Sequence, residues 1–255
     1  MNDEQLYSWI YGDTWYNAHD GYMQQNYDDV NSPRNLDISV YEVNHHITGG
    51  DGSLDQRNKI VAGLGGALNV SNWMLLMLER QHVRVQNIFS LIQDSYNDIR
   101  LWGIVLSMQP GHERYRPLYL AARMMNEALA GDLVEVTTSG ANPKWHCEFT
   151  YGDDNGSPGD IPYIHAYATQ NGNDRGLILI NLHRTDSLPV SIALPRPASG
   201  AQAVKYELRG ASINADNEVE HDPEVFATAS VLTDFHDNYT FNMQPHSMVV
   251  LTWSE

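Results

Sequence analysis

Residues 37–44 read DISVYEVN, and residues 45–56 continue as HHITGGDGSLDQ. The first stretch is a mostly apolar, β-branched run predicted as a buried strand over 37–43, with the carboxylate of Glu42 near its end. The second is polar and carries three glycines, the composition of a loop. Residues 57–80 are then predicted as one long helix, apolar almost all round, as expected of a helix covered on both sides. Residues 83–89, VRVQNIF, read as a second strand. Strand, loop, helix and strand in that order imply parallel strands joined by a right-handed crossover. In a parallel α/β barrel, active sites are built where the strands end. Glu42 stands at such an end, where a carboxylate can serve as base, nucleophile or metal ligand. The competing reading is a carboxylate that merely caps the loop after it.

Outward from this core, residues 13–30 are predicted as a helix within an aromatic-rich start, and an irregular connection runs through 111–116. Pro117 suits the first position of a helix over 118–130, where its missing N–H costs nothing, and Gly131 suits a left-handed C-cap. Two strands leave unpaired edges and an uncovered face, so this part reads as the tail of a larger barrel or sheet. After Gly131 the pattern changes to short β-branched and aromatic runs separated by Gly, Pro, Asn and Asp. Nine strands are expected, at 133–138, 144–150, 163–169, 177–182, 190–194, 204–209, 225–232, 238–242 and 248–253, which suggests a β-sandwich. The fold class is therefore α/β plus all-β, divided into 1–130 and 131–255, with a junction short enough that the parts pack together.

The 255 residues carry a formal charge of -17, which disfavours nucleic acid and anionic membranes as partners. Neutral glycans meet no such field. The single cysteine, Cys147, excludes an intramolecular disulfide and reads as a small buried hydrophobe. Residues 60–78 lack charge, but three glycines and several polar residues make them a buried helix rather than a membrane span. No basic segment followed by an apolar run opens the chain, so no signal peptide is expected, and a cytoplasmic location follows if the start is native.

The run VYEVNHH, a loop, a long apolar helix, VRVQNIFSLI, and then PLYLAARMMNEALAGDLVEV resembles the end of a family 51 α-L-arabinofuranosidase over residues 37–138. The terminal NMQPHSMVVLTW is similar to the last strands of the sandwich domain in such enzymes. The resemblance implies the last strands and helices of a (β/α)8 barrel followed by a β-sandwich, retaining hydrolysis, and no cofactor or metal. It makes Glu42 the strand-seven nucleophile. The family's E-W-N context is Glu42-Val43-Asn44 here, and its strand-eight N-[IL]-A-Q-L is Asn87-Ile88-Phe89-Ser90-Leu91, with Ser90 in place of glutamine. These departures fit a relative acting on another furanoside or pyranoside. The family's acid/base glutamate follows strand four in an N-E motif and has no counterpart in this chain. A second chain or a homo-oligomer would then be needed to complete the barrel.

Asn44, His45, His46, Ser90 and Trp102 are the expected substrate contacts around Glu42. A metal held by His45 and His46 with Glu42 is disfavoured, because adjacent residues rarely point at one ion. Trp73, inside the long helix, reads as core. Trp9, Tyr11, Trp15 and Tyr16 either line a sugar subsite or pack against a helix or partner. Residues 152–160, GDDNGSPGD, have the oxygen density of a calcium loop without EF-hand spacing, and read as a turn. The rival to an enzyme is a glycan-binding or structural protein in which the sandwich does the work.

Overall fold

The computed structural model describes residues 7–45, 53–92, 102–148 and 156–255. A π-helical turn at Ser8–Gly12 leads into α1 (Asp13–His19) and then α2 (Tyr22–Asn26). The helix expected over 13–30 is interrupted between them. The backbone N–H groups of Asp20 and Gly21 both bond Tyr16 O at 2.8 Å, and Gly21 is extended. Strand β1 (Ser39–Val43), α3 (Leu54–Ala62), α4 (Leu64–Gln81) and β2 (Val85–Ile88) follow. β1 and β2 pair in parallel, with Ser39 opposite Val85 and Val43 opposite Ile88.

The helix expected over 57–80 is two helices. α3 begins earlier than expected because Ser53 and Gln56 form a capping box, each side chain bonding the other's backbone N–H. That S-x-x-Q signal is present in the sequence. The break at Gly63 has a distant cause. The N–H groups of Leu64 and Gly65, orphaned at the start of α4, bond Ala215 O at 2.9 Å and Ile213 O at 2.8 Å. A Cβ on Gly63 would lie 2.4 Å from Lys59 O, so the close approach requires glycine.

β3 (Val105–Ser107) and β4 (Arg114–Tyr115) pair briefly within the connection expected to be irregular. α5 (Pro117–Ala128) opens on Pro117 as expected. Its C-cap is Leu129, and Gly131 lies two residues further on with φ +82°, pressed against Gln170 O.

Ten strands complete the described residues: β5 (Asp132–Val134), β6 (Lys144–Cys147), β7 (Gly159–Pro162), β8 (Ile164–Asn171), β9 (Asp174–Asn181), β10 (Leu188–Ile192), β11 (Ala203–Arg209), β12 (Phe226–Leu232), β13 (Tyr239–Met243) and β14 (Ser247–Ser254). Of these, β7 departs from expectation; it pairs with β6 at the end of the oxygen-rich run, whose residues 152–155 lie outside the described residues. Six strands form one antiparallel sheet in the order β12-β11-β14-β9-β8-β5, and β10 pairs with β13.

Alternation along β9 and β14 shows how the layers stack. Leu177 and Leu179, with Val249, Leu251 and Trp253, face Ile192, Met243 and Phe235 on the β10–β13 side. Ile178 and Ile180, with Met248 and Val250, face Leu64, Leu68, Leu75 and Leu76 of α4 and Met124 and Met125 of α5. The other side of α4 presents Ala67, Val70 and Met77 to Val40, Val43 and Ile88 of the parallel pair. α4 is thus covered on both sides, which explains its all-round apolarity. Trp73 belongs to this second contact and is core. Cys147 is fully buried, and Tyr7 and Tyr11 stack beside Trp145, so these N-terminal aromatics are packing residues. Among the described residues, parallel pairing is confined to β1 with β2 and to an isolated bridge between Ile92 and Val105, and no closed barrel forms. None of their helices is long and apolar enough to cross a membrane.

The loop between β11 and β12 is locked to the segment before α5. Arg116, 3% exposed, grips Glu218 through two bonds of 2.6 and 3.0 Å and donates to Gly103 O at 2.7 Å. Arg114 donates to the carbonyls of Asn217, Glu218 and His221. Asn217 is buried and bonds Tyr115 O and Val225 O through its amide. Removing one partner of such a pair strands the other. Arg116→Ala should cost about 3 kcal/mol in urea unfolding, with Glu218→Gln intermediate; a loss within experimental scatter would show that the pair contributes nothing.

His165 on β8 adds a pH dependence. Burial pushes its imidazole from 6.5 down to about 3, so it stays neutral in the folded chain while the unfolded chain protonates below 6.5. The unfolded state then binds the extra proton, and stability falls as pH is lowered from 6.5 towards 3. Denaturation midpoints measured across that range should decline, and the decline should be shallower in His165→Gln. Equal slopes in both proteins would exclude His165 as the cause.

Candidate functional site

β1 and β2 end side by side. Their parallel register puts Val43 opposite Ile88, and Phe89 N continues the ladder by bonding Val43 O at 3.1 Å. The ladder is irregular between Val40 and Val43: Tyr41 and Glu42 stand opposite Asn87 alone. Such a bulge inserts an extra residue and re-aims the side chains near it. Val40 and Val43 keep their places against α4, while Tyr41 and Glu42 are exposed. Among the described residues, no hydrogen bond or ion pair holds the Glu42 carboxylate.

Asn44 ties the two strand ends together. Its Nδ2 donates to Phe89 O, and its Oδ1 accepts from His45 N at 2.8 Å. His45 turns inward and is 5% exposed. His46 lies outside the described residues. Ser90, two residues after β2, donates its N–H to Trp102 O and accepts from Ile104 N, both at 3.1 Å, while its hydroxyl reaches Ile92 O at 3.3 Å. Trp102 sits with its ring centroid 5.7 Å from that of Phe89. The strand ends therefore bring Glu42, Asn44, Ser90 and Trp102 to one end of the parallel pair. His45 reaches the same end through its backbone, with its ring in the interior. Trp15 and Tyr11, by contrast, pack on the sandwich side of α4.

Two further contributors lie outside the expected set. Phe89, 39% exposed, supplies the ring beside Trp102, and its place in the strand-eight run is the signal that could have found it. Gly103 is held by Arg116, which Glu218 fixes from the sandwich, and no local signal in the sequence joins these three. Among the described residues, no three His, Cys, Asp or Glu side chains gather as a metal site requires.

These contacts separate structural from chemical roles. Asn44→Ala removes two hydrogen bonds and should destabilise the chain by about 1–2 kcal/mol. Glu42→Gln touches no partner and should change stability by less than about 0.5 kcal/mol. Differential scanning of both variants checks this, and a Glu42 variant as damaged as the Asn44 variant would reveal a structural role for the carboxylate.

No protein-family model matches this sequence, and no curated protein matches it either. Solved structures do. The thermostable family 51 α-L-arabinofuranosidase of Thermotoga petrophila RKU-1 is similar at 20% identity and TM-score 0.67, over 90% of this chain and 46% of that one. The α-L-arabinofuranosidase of Thermotoga maritima, in its arabinose complex, is similar at 18% identity and TM-score 0.71, over 100% and 51%. A family 51 α-L-arabinofuranosidase of Bifidobacterium longum gives 13% identity and TM-score 0.68, over 95% and 47%. This chain spans about half the length of these relatives, and at such identities the likeness is one of fold.

Proposed function

We propose that this chain carries the nucleophile half of the active site of a retaining glycoside hydrolase resembling the α-L-arabinofuranosidases. The observation that carries the reading is the position of Glu42, on a bulge at the C-terminal end of the first of two parallel strands. The half-length likeness to arabinofuranosidases supports it. Residues 1–130 are read as the last part of a (β/α)8 barrel and residues 131–255 as its β-sandwich. The remaining strands come from polypeptide other than residues 1–255, whether upstream sequence or a second chain.

In this mechanism a Glu42 oxygen attacks the anomeric carbon as the bond to the leaving oxygen breaks, and the leaving oxygen takes its proton from a carboxylic acid roughly 5 Å away. Water then attacks the glycosyl ester and releases the sugar and the Glu42 carboxylate. No residue of this chain matches the family's acid, so that group belongs to the completing polypeptide. Asn44 holds the two strand ends in register, Ser90 and Trp102 border the sugar, and His45 acts from behind by fixing the turn. The open face next to Glu42 favours this reading over a complete site. Tyr41 is 84% exposed, Val85 54% and Leu91 58%, which is more apolar surface than a finished pocket leaves in water.

A nucleophile without its acid can still act when the leaving group needs no proton. The chain, incubated with an activated nitrophenyl α-L-arabinofuranoside, should release nitrophenol and gain one pentosyl group on the peptide containing Glu42. Methyl glycosides should not react, and Glu42→Gln should acquire no label. Failure to label with any activated furanoside or pyranoside would refute the reading, as would a label that persists in Glu42→Gln.

A further inference from the structure

A cavity lies at the seam where α1 and α4 meet β8 of the six-stranded sheet. Its volume is about 500 Å³, within the range of small-molecule sites. The residues that give it character are Trp15, His19, Glu79, Lys144, His165 and Tyr167. Trp15 is clasped between the two imidazoles, with ring centroids 3.9 Å from His19 in a stack and 5.1 Å from His165 edge-on.

Acceptors predominate in these walls, and Lys144 and Thr138 add donors. His19 Nδ1 lies 2.8 Å from Trp15 O, and a carbonyl only accepts, so Nδ1 carries the proton and Nε2 is left as an acceptor. His165 bonds the Pro162 backbone, while its buried Nε2 has no partner among the described residues. Burial holds both imidazoles below their ordinary pKa, so both are neutral acceptors at pH 7. The Tyr167 hydroxyl gives its proton to Asn72 Oδ1 at 2.8 Å and can still accept. Glu79, at the mouth, has its carboxyl pushed up by partial burial and accepts as well. Asn142 is consumed by the backbone of Ile164 in both directions. A ligand must therefore donate to these acceptors, and one whose groups also accept suits Lys144 and Thr138.

Charge decides between a hydroxyl and an ammonium. Glu79 faces Arg80, whose field also reaches His19, and Lys144 lies at the same rim as Asp160. Two anionic and two cationic side chains cancel, and the mouth offers no net attraction to a cation. A metal ion is also excluded, because His19, Glu79 and His165 do not converge on one point.

We propose that this seam cavity is a binding site for an uncharged polyhydroxyl compound of monosaccharide size, whose hydroxyls donate to Glu79 and His19 beside Trp15. The site is independent of the reading of Glu42, and it would tie ligand occupancy to the contact between the helical part and the sandwich.

Calorimetric titration of the chain with L-arabinose, D-xylose, glycerol, ethylamine and acetate tests this, with tryptophan fluorescence as a second readout. At least one of the three neutral compounds should bind saturably, and ethylamine and acetate should not. Glu79→Ala should weaken binding about tenfold or more, and Thr138→Trp, which puts a bulky ring in the lining, should abolish it. Binding should persist in Glu42→Ala. No saturable binding of a neutral compound would overturn the proposal. So would preference for ethylamine, or binding lost in Glu42→Ala but unchanged in Glu79→Ala and Thr138→Trp.

Discussion

The buried grip of Arg116 on Glu218 is the contact on which the remaining architecture depends. A guanidinium with little access to water must have its protons satisfied, and here Glu218 and Gly103 O do so from opposite sides. Glu218 sits on a loop of the sandwich, while Gly103 lies in the segment that bonds Ser90 through its neighbours Trp102 and Ile104. One side chain thus transmits the position of the sandwich to the wall of the candidate pocket. The same loop supplies Ile213 and Ala215 as caps for α4, so it sets where that helix begins as well as where it packs. A surface pair of equal geometry would be worth little. Burial turns this one into a constraint.

That constraint accounts for the composition of α4. A helix facing a six-stranded sheet on one side and a parallel pair on the other has no solvent stripe to spare. Its first turn is Leu64, Gly65, Gly66 and Ala67, all buried; the loop backbone meets Leu64 and Gly65, and the Ile60 and Val61 carbonyls of α3 crowd Gly66. Glycine lowers helix propensity by about 1 kcal/mol, and the two caps from the loop offset part of that loss. The local sequence is a poor helix start that the tertiary structure completes.

What is legible in the sequence divides along the same line. The strands of the sandwich, the parallel β1–β2 pair, Pro117 at the head of α5 and the core role of Trp73 follow from periodicity and turn chemistry, which are local. So does the grouping of Glu42, Asn44 and Ser90, because two parallel strands of similar length end together. The start of α3 is written in Ser53 and Gln56, although the glycines just before them make the whole stretch look like loop. The break at Gly63, the bend at Gly21, strand β7 and the Arg116–Glu218 pair are not legible. Each depends on a partner distant in sequence, or on a backbone turn that composition does not single out. His45 shows the limit most clearly. Its neighbours place it at the strand end, but only packing decides that its ring turns inward.

The open side of the parallel pair bears on what Glu42 can do. Transition-state stabilisation is strongest where water is excluded and polar groups are already fixed. Glu42 stands on a bulge beside exposed Tyr41, with Val85 and Phe89 on the same uncovered face. Two strands whose helical side already packs against α4 have met part of the entropic cost of order; what they lack is a cover. Polypeptide laid against Tyr41, Val85 and Phe89 would bury apolar surface at about 25 cal/mol per Å² and remove water from around Glu42 in the same step. Completion of the fold and the gain of reactivity towards unactivated glycosides would then be one event, driven by the hydrophobic face rather than by the charge. A chain of net charge -17 would otherwise resist bringing a second carboxylate close to the first.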